Sequence, residues 1–493
     1  MGIGSRISSQ IGYCFLISAY RYGKFRSHHN IYIIPITNYI LTYISCEKLK
    51  NYTQAEEGKK SRKMSFKNLK IKPGRLLTTI HETAKAFGAK GVWGPESTQT
   101  GVCRLTLSDL DKGVRDWFID ETKSLGCEIK VDEIGNIFAI YPGKNNNAAP
   151  TAIGSHLDTQ PTGGRYDGIY GVLSGLEVLR TLKENEFVPN YPIALINWTN
   201  EEGARFPMSI MASSVWAENI PLETAYKLES VTDAEPVTVE HELKRIGYLG
   251  PNKASYKTNP IKAHFEIHIE QGPVLEDEKK LIGIVTGVQS YAWYKVRVFG
   301  KAQHTGTTPL AARSDALLAT SQMIVKGNEL AKKHGCLFSV GVLNVKPAVV
   351  NVIPEHVEFI IDVRHIQDKG LSAILGEIKK EFPKIASESG RALSLEFDHI
   401  YTSDAVKFHD DCIACVRESA SEIVGADLAR EIISGAGHDS CSTSTRVPTS
   451  MIFIPSKDGV SHNPAEYSKP EDVHTGFEVL MSAVLKYDSL RKD

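Results

Sequence analysis

The sequence has almost no net charge and few cysteines, and both features exclude whole classes of function. Among its 493 residues, 57 Lys and Arg are balanced by 58 Asp and Glu, so no basic excess predicts a nucleic acid or an anionic membrane as a partner. Eight scattered Cys residues are too few for a disulfide scaffold and indicate a reducing compartment, which predicts a cytoplasmic location. Cys412 and Cys415 form a C-x-x-C pair within an amphipathic helical pattern. This spacing predicts two core positions on one helix face, with a redox or zinc pair as the alternative.

The sequence also has no long hydrophobic run. "IYIIPITNYILTYISC" is the most apolar part of the first 63 residues, but it is too short and too polar for a membrane span and contains Pro35. The order of basic, apolar and small residues that marks a signal peptide is missing. We therefore expect residues 1–63 to be an extension of unknown role before a natural start at Met64. A mitochondrial presequence is one alternative, and it would change the predicted location.

Two further absences concern the type of enzyme and the architecture. The sequence contains no G-x-S-x-G elbow, which argues against a serine hydrolase, and no internal repeat or low-complexity tract. Its length predicts two or three domains.

A helical pattern covers residues 74–95, and "CEIKVDEIGNIFAIYPGK" alternates like a hairpin with a turn near Glu133 and Gly135. Later strand patterns such as "APTAIGSHLDT" and "YPIALINWTNEEG" alternate with helical ones, which predicts an α/β layer with a largely parallel sheet.

The hydrophobic pattern changes near residue 290. From there, strand and helix patterns follow the order β-α-β-β-α-β, which is typical of a ferredoxin-like α+β domain. The α/β pattern resumes after residue 403. We therefore predict a domain at residues 290–403 inserted between two parts of a larger one, residues 64–289 and 404–493.

Polar residues typical of metal sites follow several of the predicted strands. In "NWTNEEGARF", the adjacent acids Glu201 and Glu202 come directly after an apolar run. Taken alone, such a pair more often marks a helix N-terminus, where acids interact favourably with the helix dipole. In open α/β sheets, however, ligands bind beyond the carboxyl ends of the strands. Mixed His nitrogen and carboxylate oxygen suits Zn²⁺, with Mn²⁺ or Co²⁺ as substitutes, and the candidates are His156, Asp158, Asp167, Glu201, Glu202, His268 and His462.

These motifs resemble a known superfamily. "SHLDT", "GGRYDG", "NEEG", "HIEQG" and "SHNPAE" are similar to those of the zinc-dependent aminoacylase, carboxypeptidase and acetylornithine deacetylase superfamily. "AQHTGTTP", "GAGHDS" and the His of "HIEQG" indicate its branch of N-carbamoyl-L-amino acid hydrolases, allantoate amidohydrolases and fungal-type β-alanine synthases. The resemblance covers roughly residues 70–490. It implies a di-zinc exopeptidase-like α/β catalytic domain with an inserted ferredoxin-like lid that also forms a homodimer.

The resemblance also implies a site for two zinc ions in each subunit. Asp167 would bridge both ions, His156 and His268 would complete one site, and Glu202 and His462 would complete the other. On this reading the two neighbouring acids have different roles, because Glu202 binds metal and Glu201 does not.

The remaining roles come from the same resemblance. Glu201 would be the general base, and Asp158 would orient His156 as a metal ligand. His304, in the lid, would reach the partner subunit's site and stabilise the oxyanion. The substrate would be bound by Arg364, whose fork suits a carboxylate although a strand Arg is more often simply solvated, and by Asn351, Gln271 and His438.

The function implied is hydrolysis of an N-carbamoyl (ureido) amide. We favour N-carbamoyl-β-alanine, which would give β-alanine, CO₂ and ammonia as in pyrimidine degradation. The alternatives are allantoate and N-carbamoyl-L-amino acids. A non-catalytic binding protein on the same fold is a further alternative, because fold alone does not establish function, but neither the base nor any ligand is missing from this sequence.

Overall fold

The structure is a computed structural model that describes residues 68–389, 391 and 393–492. The description below concerns the unit Met64–Asp493. The extension predicted at residues 1–63 lies outside the described residues. None of the helices in the described part of the chain combines the length and the apolar character that a transmembrane helix requires.

The first half of the described chain alternates between helices and strands. Its elements are α1 (Arg75–Ala86), β1 (Ala89–Val92), β2 (Thr100–Val102), α2 (Asp109–Ser124), β3 (Glu128–Val131), β4 (Ile137–Tyr141), β5 (Thr151–His156), α3 (Ile169–Glu184), β6 (Ile193–Trp198), α4 (Met211–Trp216), α5 (Leu222–Tyr226), α6 (Val239–Ile246), β7 (Ala263–Ile269), α7 (Val274–Asp277) and β8 (Ile282–Val288).

The second half contains a largely antiparallel stretch and then returns to the first pattern. Its elements are β9 (Ser290–Phe299), β10 (Gln303–His304), α8 (Ala316–His334), β11 (Leu337–Lys346), β12 (Val352–Ile353), β13 (His356–His365), α9 (Asp368–Glu388), β14 (Ser394–Ser403), β15 (Val406–Lys407), α10 (Asp410–Ile423), β16 (Ala429–Ser434), α11 (Asp439–Thr443), β17 (Thr449–Ile454) and α12 (Pro470–Leu490).

A nine-stranded sheet is the larger of the two main sheets in the described residues. Its order is β15-β8-β17-β7-β5-β6-β4-β3, with β16 pairing with β8. The middle strands β17, β7, β5 and β6 run parallel, whereas β4 and β3 are added antiparallel at one side. Every residue of β5, β6, β7 and β17 is buried, as expected for parallel strands covered on both faces. The predicted α/β class with a largely parallel sheet is confirmed.

One predicted helix was too long. The pattern over residues 74–95 predicted a single helix, but α1 ends at Ala86 and β1 follows it. Gly88 lies between them with φ +116°, and a Cβ there would lie 2.7 Å from the carbonyl oxygen of Cys103. Strand β1 is specified by its pairing with β2, which local periodicity does not show.

A second sheet spans residues 290–403. Its four strands lie in the order β11-β13-β9-β14 and all pair antiparallel. Helices α8 and α9 pack on one face of it around a separate hydrophobic core. This is the strand order of a ferredoxin-like domain. The dimerisation role predicted for this region stays a prediction.

Helix α10 carries the C-x-x-C pair in the hydrophobic core. Cys412 and Cys415 are 0% and 2% exposed, and burial raises the pKa of both thiols. The prediction that these are core positions is confirmed.

Helix α2 carries a buried ion pair whose arginine also reaches the turn after β6. The Nε of Arg115 donates to Oδ2 of Asp111 at 2.7 Å, and both side chains are at most 1% exposed. The same guanidinium donates to the carbonyl of Gly135 at 2.8 Å and to Oγ1 of Thr199 at 3.1 Å. Arg115 therefore ties the helix to the segment that carries Glu201.

We expect Arg115→Met to lower the free energy of unfolding by about 3–5 kcal/mol, because it leaves a buried carboxylate without its partner. Urea unfolding of the purified chain measures this. Lys112→Met is the matched control on the same helix, since Lys112 forms an exposed ion pair with Asp116 that is worth less than about 1 kcal/mol. Equal losses in the two variants would contradict the prediction.

Candidate active site

Parallel strands bring the first group of polar side chains together. Strand β5 ends at His156, and His268 is the penultimate residue of the neighbouring parallel strand β7. Asp167, in the loop before α3, completes the group. Its Oδ1 lies 3.5 Å from Nε2 of His156 and 3.0 Å from Nε2 of His268. The three side chains are buried.

The hydrogen bonds of the two histidines assign their tautomers. Nδ1 of His156 lies 2.9 Å from the carbonyl oxygen of Asp158, and Nδ1 of His268 lies 2.8 Å from that of Ile269. Nδ1 therefore carries a hydrogen in each ring, and Nε2 is the nitrogen that faces Asp167, the orientation of metal-binding histidines. Nε2 of His156 is buried without a hydrogen-bond partner among the described residues. A buried ring nitrogen that faces two acids without a hydrogen-bond partner fits a ligand of a bound cation.

Asp158 contacts His156 through its main chain rather than through its carboxylate. The main-chain carbonyl makes the short contact, whereas the carboxylate Oδ1 lies 3.9 Å from the ring nitrogen. That carboxylate instead accepts the backbone N–H groups of Glu201 and Glu202 at 3.4 and 3.3 Å. Asp158 thus positions both the histidine and the turn that carries the two acids.

A second group shares Asp167 with the first. Nε2 of His462 lies 3.4 Å from Oδ2 of Asp167 and 3.4 Å from Oε2 of Glu202. Gln160 holds Glu202 through its backbone N–H and its amide, at 3.2 and 2.7 Å. Within each group, the ligand atoms all lie within 4.8 Å of one another. Imidazole nitrogens and carboxylate oxygens at this spacing fit a divalent cation in each group.

Glu201 lies beside the first group without belonging to either. Asn200 precedes it with φ +58°, and its Nδ2 donates to the carbonyls of Phe206 and Met208 at 3.1 and 2.9 Å. This tight turn points Oε2 of Glu201 to within 3.5 Å of Nε2 of His156. The side chain is buried, and its carboxylate faces His156 of the first group.

Burial and crowding of acids shift the protonation of this cluster. Burial raises the pKa of the Glu201 carboxyl well above its usual range. Burial and the charge of Asp167 raise the pKa of Glu202 to about 7. For Asp167, burial acts in the same direction, but His268, His156 and His462 outweigh it and hold the pKa well below the usual value. A divalent cation at this point would favour the ionised form of all these acids.

A cleft of about 990 Å³ opens beside the second group. Gln271, His462 and Arg364 line it. Gln271 donates from Nε2 to Oδ2 of Asp167 at 2.7 Å. Arg364 donates to the carbonyl of Gly435 at 2.7 Å and pairs with the carboxylate of Asp362. The cleft therefore connects the acid and histidine cluster with a guanidinium on the second sheet.

Three other predicted substrate or catalytic residues lie in different surroundings. His438 is buried, with its ring centroid 4.7 Å from that of His268, and burial lowers its pKa well below the usual value. His304 and Asn351 lie next to each other, because β10 pairs with β12 and the N–H of Thr305 donates to the carbonyl of Asn351 at 3.0 Å. The side chains of His304 and Asn351 are exposed, and neither lines the cleft.

Sequence reasoning did not single out four residues that contact either the clustered acids or Arg364. Gln160 follows "SHLDT" directly, Ser461 and Glu466 belong to "SHNPAE", and Asp362 is two positions before Arg364. Each of the four lies within a few positions of a residue that the sequence did single out. That proximity was the signal by which they could have been found. Nothing in the local pattern shows which atoms they contact.

Comparison with known proteins adds a family to this geometry. Residues 152–486 match the model of peptidase family M20/M25/M40. The chain is 38% identical over 421 residues to an N-carbamoyl-L-amino-acid amidohydrolase of Rhizobium meliloti, which covers 85% of this chain and 97% of that protein. It is 33% identical over 398 residues to a ureidoglycolate hydrolase of Oryza sativa, which covers 79% and 81%. A crystal structure of an amidase of the hydantoinase/carbamoylase family from Burkholderia multivorans superposes with a TM-score of 0.79 at 39% identity, covering 86% of this chain and all of that one.

Proposed function

The chain belongs to peptidase family M20/M25/M40, and from that membership we propose that it is a metal-dependent hydrolase of carbamoyl amides. The observation that carries the proposal is the shared carboxylate of Asp167 between two donor groups. A buried acid that belongs to neither group, Glu201, lies beside them. The names of the relatives from Rhizobium meliloti and Oryza sativa support the same class of reaction.

The proposed metal sites follow the two groups. His156, Asp167 and His268 would hold one zinc ion, and Asp167, Glu202 and His462 would hold the other, with Mn²⁺ or Co²⁺ as substitutes. Zinc bound by these residues supplies Lewis-acid chemistry, which lowers the pKa of water and polarises a carbonyl oxygen.

The chain's own residues move the proton and orient the substrate. Glu201 accepts the proton of the attacking water at its carboxylate and later donates it to the leaving nitrogen, so its burial beside the groups has a direct use. Gln271, which lines the cleft, and His438, which is buried against His268, orient the ureido group. Arg364 binds the substrate carboxylate with its fork of parallel N–H donors.

The choice of substrate depends on what surrounds Arg364. The sequence resemblance favours N-carbamoyl-β-alanine, which water converts to β-alanine, CO₂ and ammonia. A specific observation favours N-carbamoyl-L-amino acids instead, because Leu337, Ile366 and Ile433 line the same cleft and are 62%, 51% and 37% exposed. These apolar side chains would contact an aliphatic substituent that β-alanine lacks. Allantoate carries two polar ureido groups, so it tests whether the cleft instead accepts a polar substituent.

An ammonia-release assay tests the function and the substrate together. The purified chain, loaded with zinc, would be compared on N-carbamoyl-β-alanine, N-carbamoyl-L-leucine and allantoate. Activity that disappears on chelation and returns with zinc supports the proposal, and the ratio of kcat/KM values selects the substrate. Full turnover by metal-free protein, or no turnover of any carbamoyl amide, would reject it.

Replacing Arg364 should weaken substrate binding more than it slows the chemistry. Arg364→Ala removes a charge-assisted pair worth about 1.5–3 kcal/mol, so we expect KM to rise about 10- to 100-fold with little change in kcat. Steady-state kinetics measure both. Arg297→Ala is the matched control, because Arg297 is also on the second sheet, also pairs with an acid and is equally accessible, at 28% against 29% exposure. It lies outside the cleft and should leave KM unchanged.

The role of the second sheet completes the proposal. We take residues 290–403 as a lid that also forms a homodimer, in which His304 stabilises the oxyanion in the partner subunit's site. The exposure of His304, away from its own cleft, supports this arrangement.

Mixed dimers test it directly. His304→Ala should lower kcat by about 10²–10³-fold. When it is mixed with Glu201→Gln chains, activity should partly return, because one site of a mixed dimer then carries both defects and the other carries neither. Mixed dimers that form and stay inactive would show that His304 does not act across the interface.

A further inference from the structure

The loop between β17 and α12 carries an acid that the proposed reaction does not use. Glu466 is 2% exposed, and its Oε1 accepts the backbone N–H groups of Tyr166 and Asp167, each at 3.0 Å. These donors are about 300 positions away in the sequence. A buried carboxylate with two such backbone donors holds the main chain beside it in one conformation.

The other oxygen of the same carboxylate reaches the side chain of Asp167. Oγ of Ser461 lies 2.9 Å from Oε2 of Glu466 and 3.0 Å from Oδ2 of Asp167. Glu466 therefore contacts Asp167 twice, directly at its backbone and through a hydroxyl at its carboxylate. The contact through Ser461 acts on the oxygen that faces His462.

The main chain of the same residue closes the loop that presents His462. The backbone N–H of Glu466 donates to the carbonyl of Asn463 at 3.0 Å, closing the turn that follows His462. His462 itself has φ +54°, a conformation that a side-chain-bearing residue keeps only when its surroundings hold it. Gly164 leaves room for the Glu466 side chain, because a Cβ at position 164 would overlap the Glu466 carboxylate.

We infer that Glu466, with Ser461, is a positioning residue that fixes the distance between Asp167 and His462 and so sets the metal affinity of the second group. This rests on the proposed function, because it requires metal at Asp167, Glu202 and His462. The first group depends on it less, since His156 and His268 are held by carbonyls of their own strand ends.

The molecule contains a matched control for a purely structural role. Asp488 is 1% exposed and likewise accepts two consecutive backbone N–H groups, those of Asn190 and Tyr191, at 2.8 and 2.9 Å. These donors precede β6, whereas Glu201 follows it, so the contact lies at the opposite end of a strand about 20 Å long. Asp488→Ala should lower Tm as Glu466→Ala does, but leave metal binding unchanged.

Metal affinity, measured by competition with a chromophoric zinc chelator, gives the readout. Glu466→Ala should raise the dissociation constant of one of the two ions by about 10- to 100-fold, the usual effect of losing a residue that orients a metal ligand. It should also alter the visible spectrum of the cobalt-loaded chain. Glu466→Gln should restore both, because an amide oxygen still accepts the two N–H groups and its nitrogen donates to Ser461.

Each other result has a definite meaning. Wild-type affinity in Glu466→Ala, or an equal loss in Asp488→Ala, would overturn the inference and leave the proposed function standing. A wild-type chain that binds no metal would reject both. If Glu466→Ala does not fold, Ser461→Ala carries the test, since it removes only the hydroxyl between the two carboxylates. Wild-type affinity in that variant would then overturn the inference.

Discussion

Asp167→Asn is expected to lose both metal ions and at least about 10³-fold in kcat/KM. Asp167 is the residue that belongs to both donor groups, with Oδ1 facing the histidines of one and Oδ2 facing the His462 of the other. An amide keeps the shape of the side chain but places an NH₂ group where one cation would lie. Losing Lewis-acid chemistry worth several kcal/mol corresponds to this loss of rate. Metal analysis after gel filtration and an ammonia-release assay measure the two effects.

Asp132→Asn is the control for the loss of a buried carboxylate. Asp132 is 0% exposed, and burial raises its pKa to about 7. It accepts from Asn136 in the β3–β4 turn, outside both donor groups. This variant should keep metal and activity. An Asp167→Asn chain that retained two ions at wild-type affinity would contradict the assignment of Asp167 as the shared ligand.

Glu201→Gln should lower kcat by about 10²–10⁴-fold, the range expected for loss of a general base, while metal content stays unchanged. The reason is geometric: Glu201 belongs to neither donor group, yet its Oε2 lies 3.5 Å from Nε2 of His156. Glutamine preserves the volume and cannot accept the proton. Kinetics on metal-saturated protein, with the metal content determined in the same sample, separate the two roles.

The neighbouring acid provides the reverse experiment. Glu202→Gln makes the same chemical change one position along the chain, but Glu202 is within reach of His462 and Asp167. It should weaken one metal site, and excess zinc should restore part of the rate. If Glu201→Gln lost metal and Glu202→Gln lost only rate, the two roles would have to be exchanged.

Much of the fold was predictable because it is encoded in short-range patterns. The apolar runs of β5 and β6 predicted buried strands of a largely parallel sheet, and the β-α-β-β-α-β order predicted the second sheet. Where a long-range contact ends an element, the prediction was wrong. The helix expected over residues 74–95 ends at Ala86, since β1 is specified by its pairing with β2 across a loop.

The candidate site divides in the same way. Residue types at strand ends were enough to name the candidate ligands, because parallel strands of one sheet end at one edge. Their division into two groups was implied by the resemblance to the superfamily. The roles of those residues remain proposals. Sequence could not show that the carbonyl of Asp158 contacts His156 while its carboxylate holds the turn at Glu201. A sequence names the residue but does not show which of its oxygen atoms makes a given contact.

Local sequence therefore specified the class of fold, the family and the identities of the clustered acids and histidines. Long-range packing established what surrounds them. The pairing of Arg364 with Asp362 and Gly435, the exposure of His304 away from the cleft, and the contact of Glu466 with Asp167 across about 300 residues all depend on how distant segments meet. Periodicity and motifs report only a residue's near neighbours along the chain, whereas these contacts arise from the close packing of the whole folded molecule.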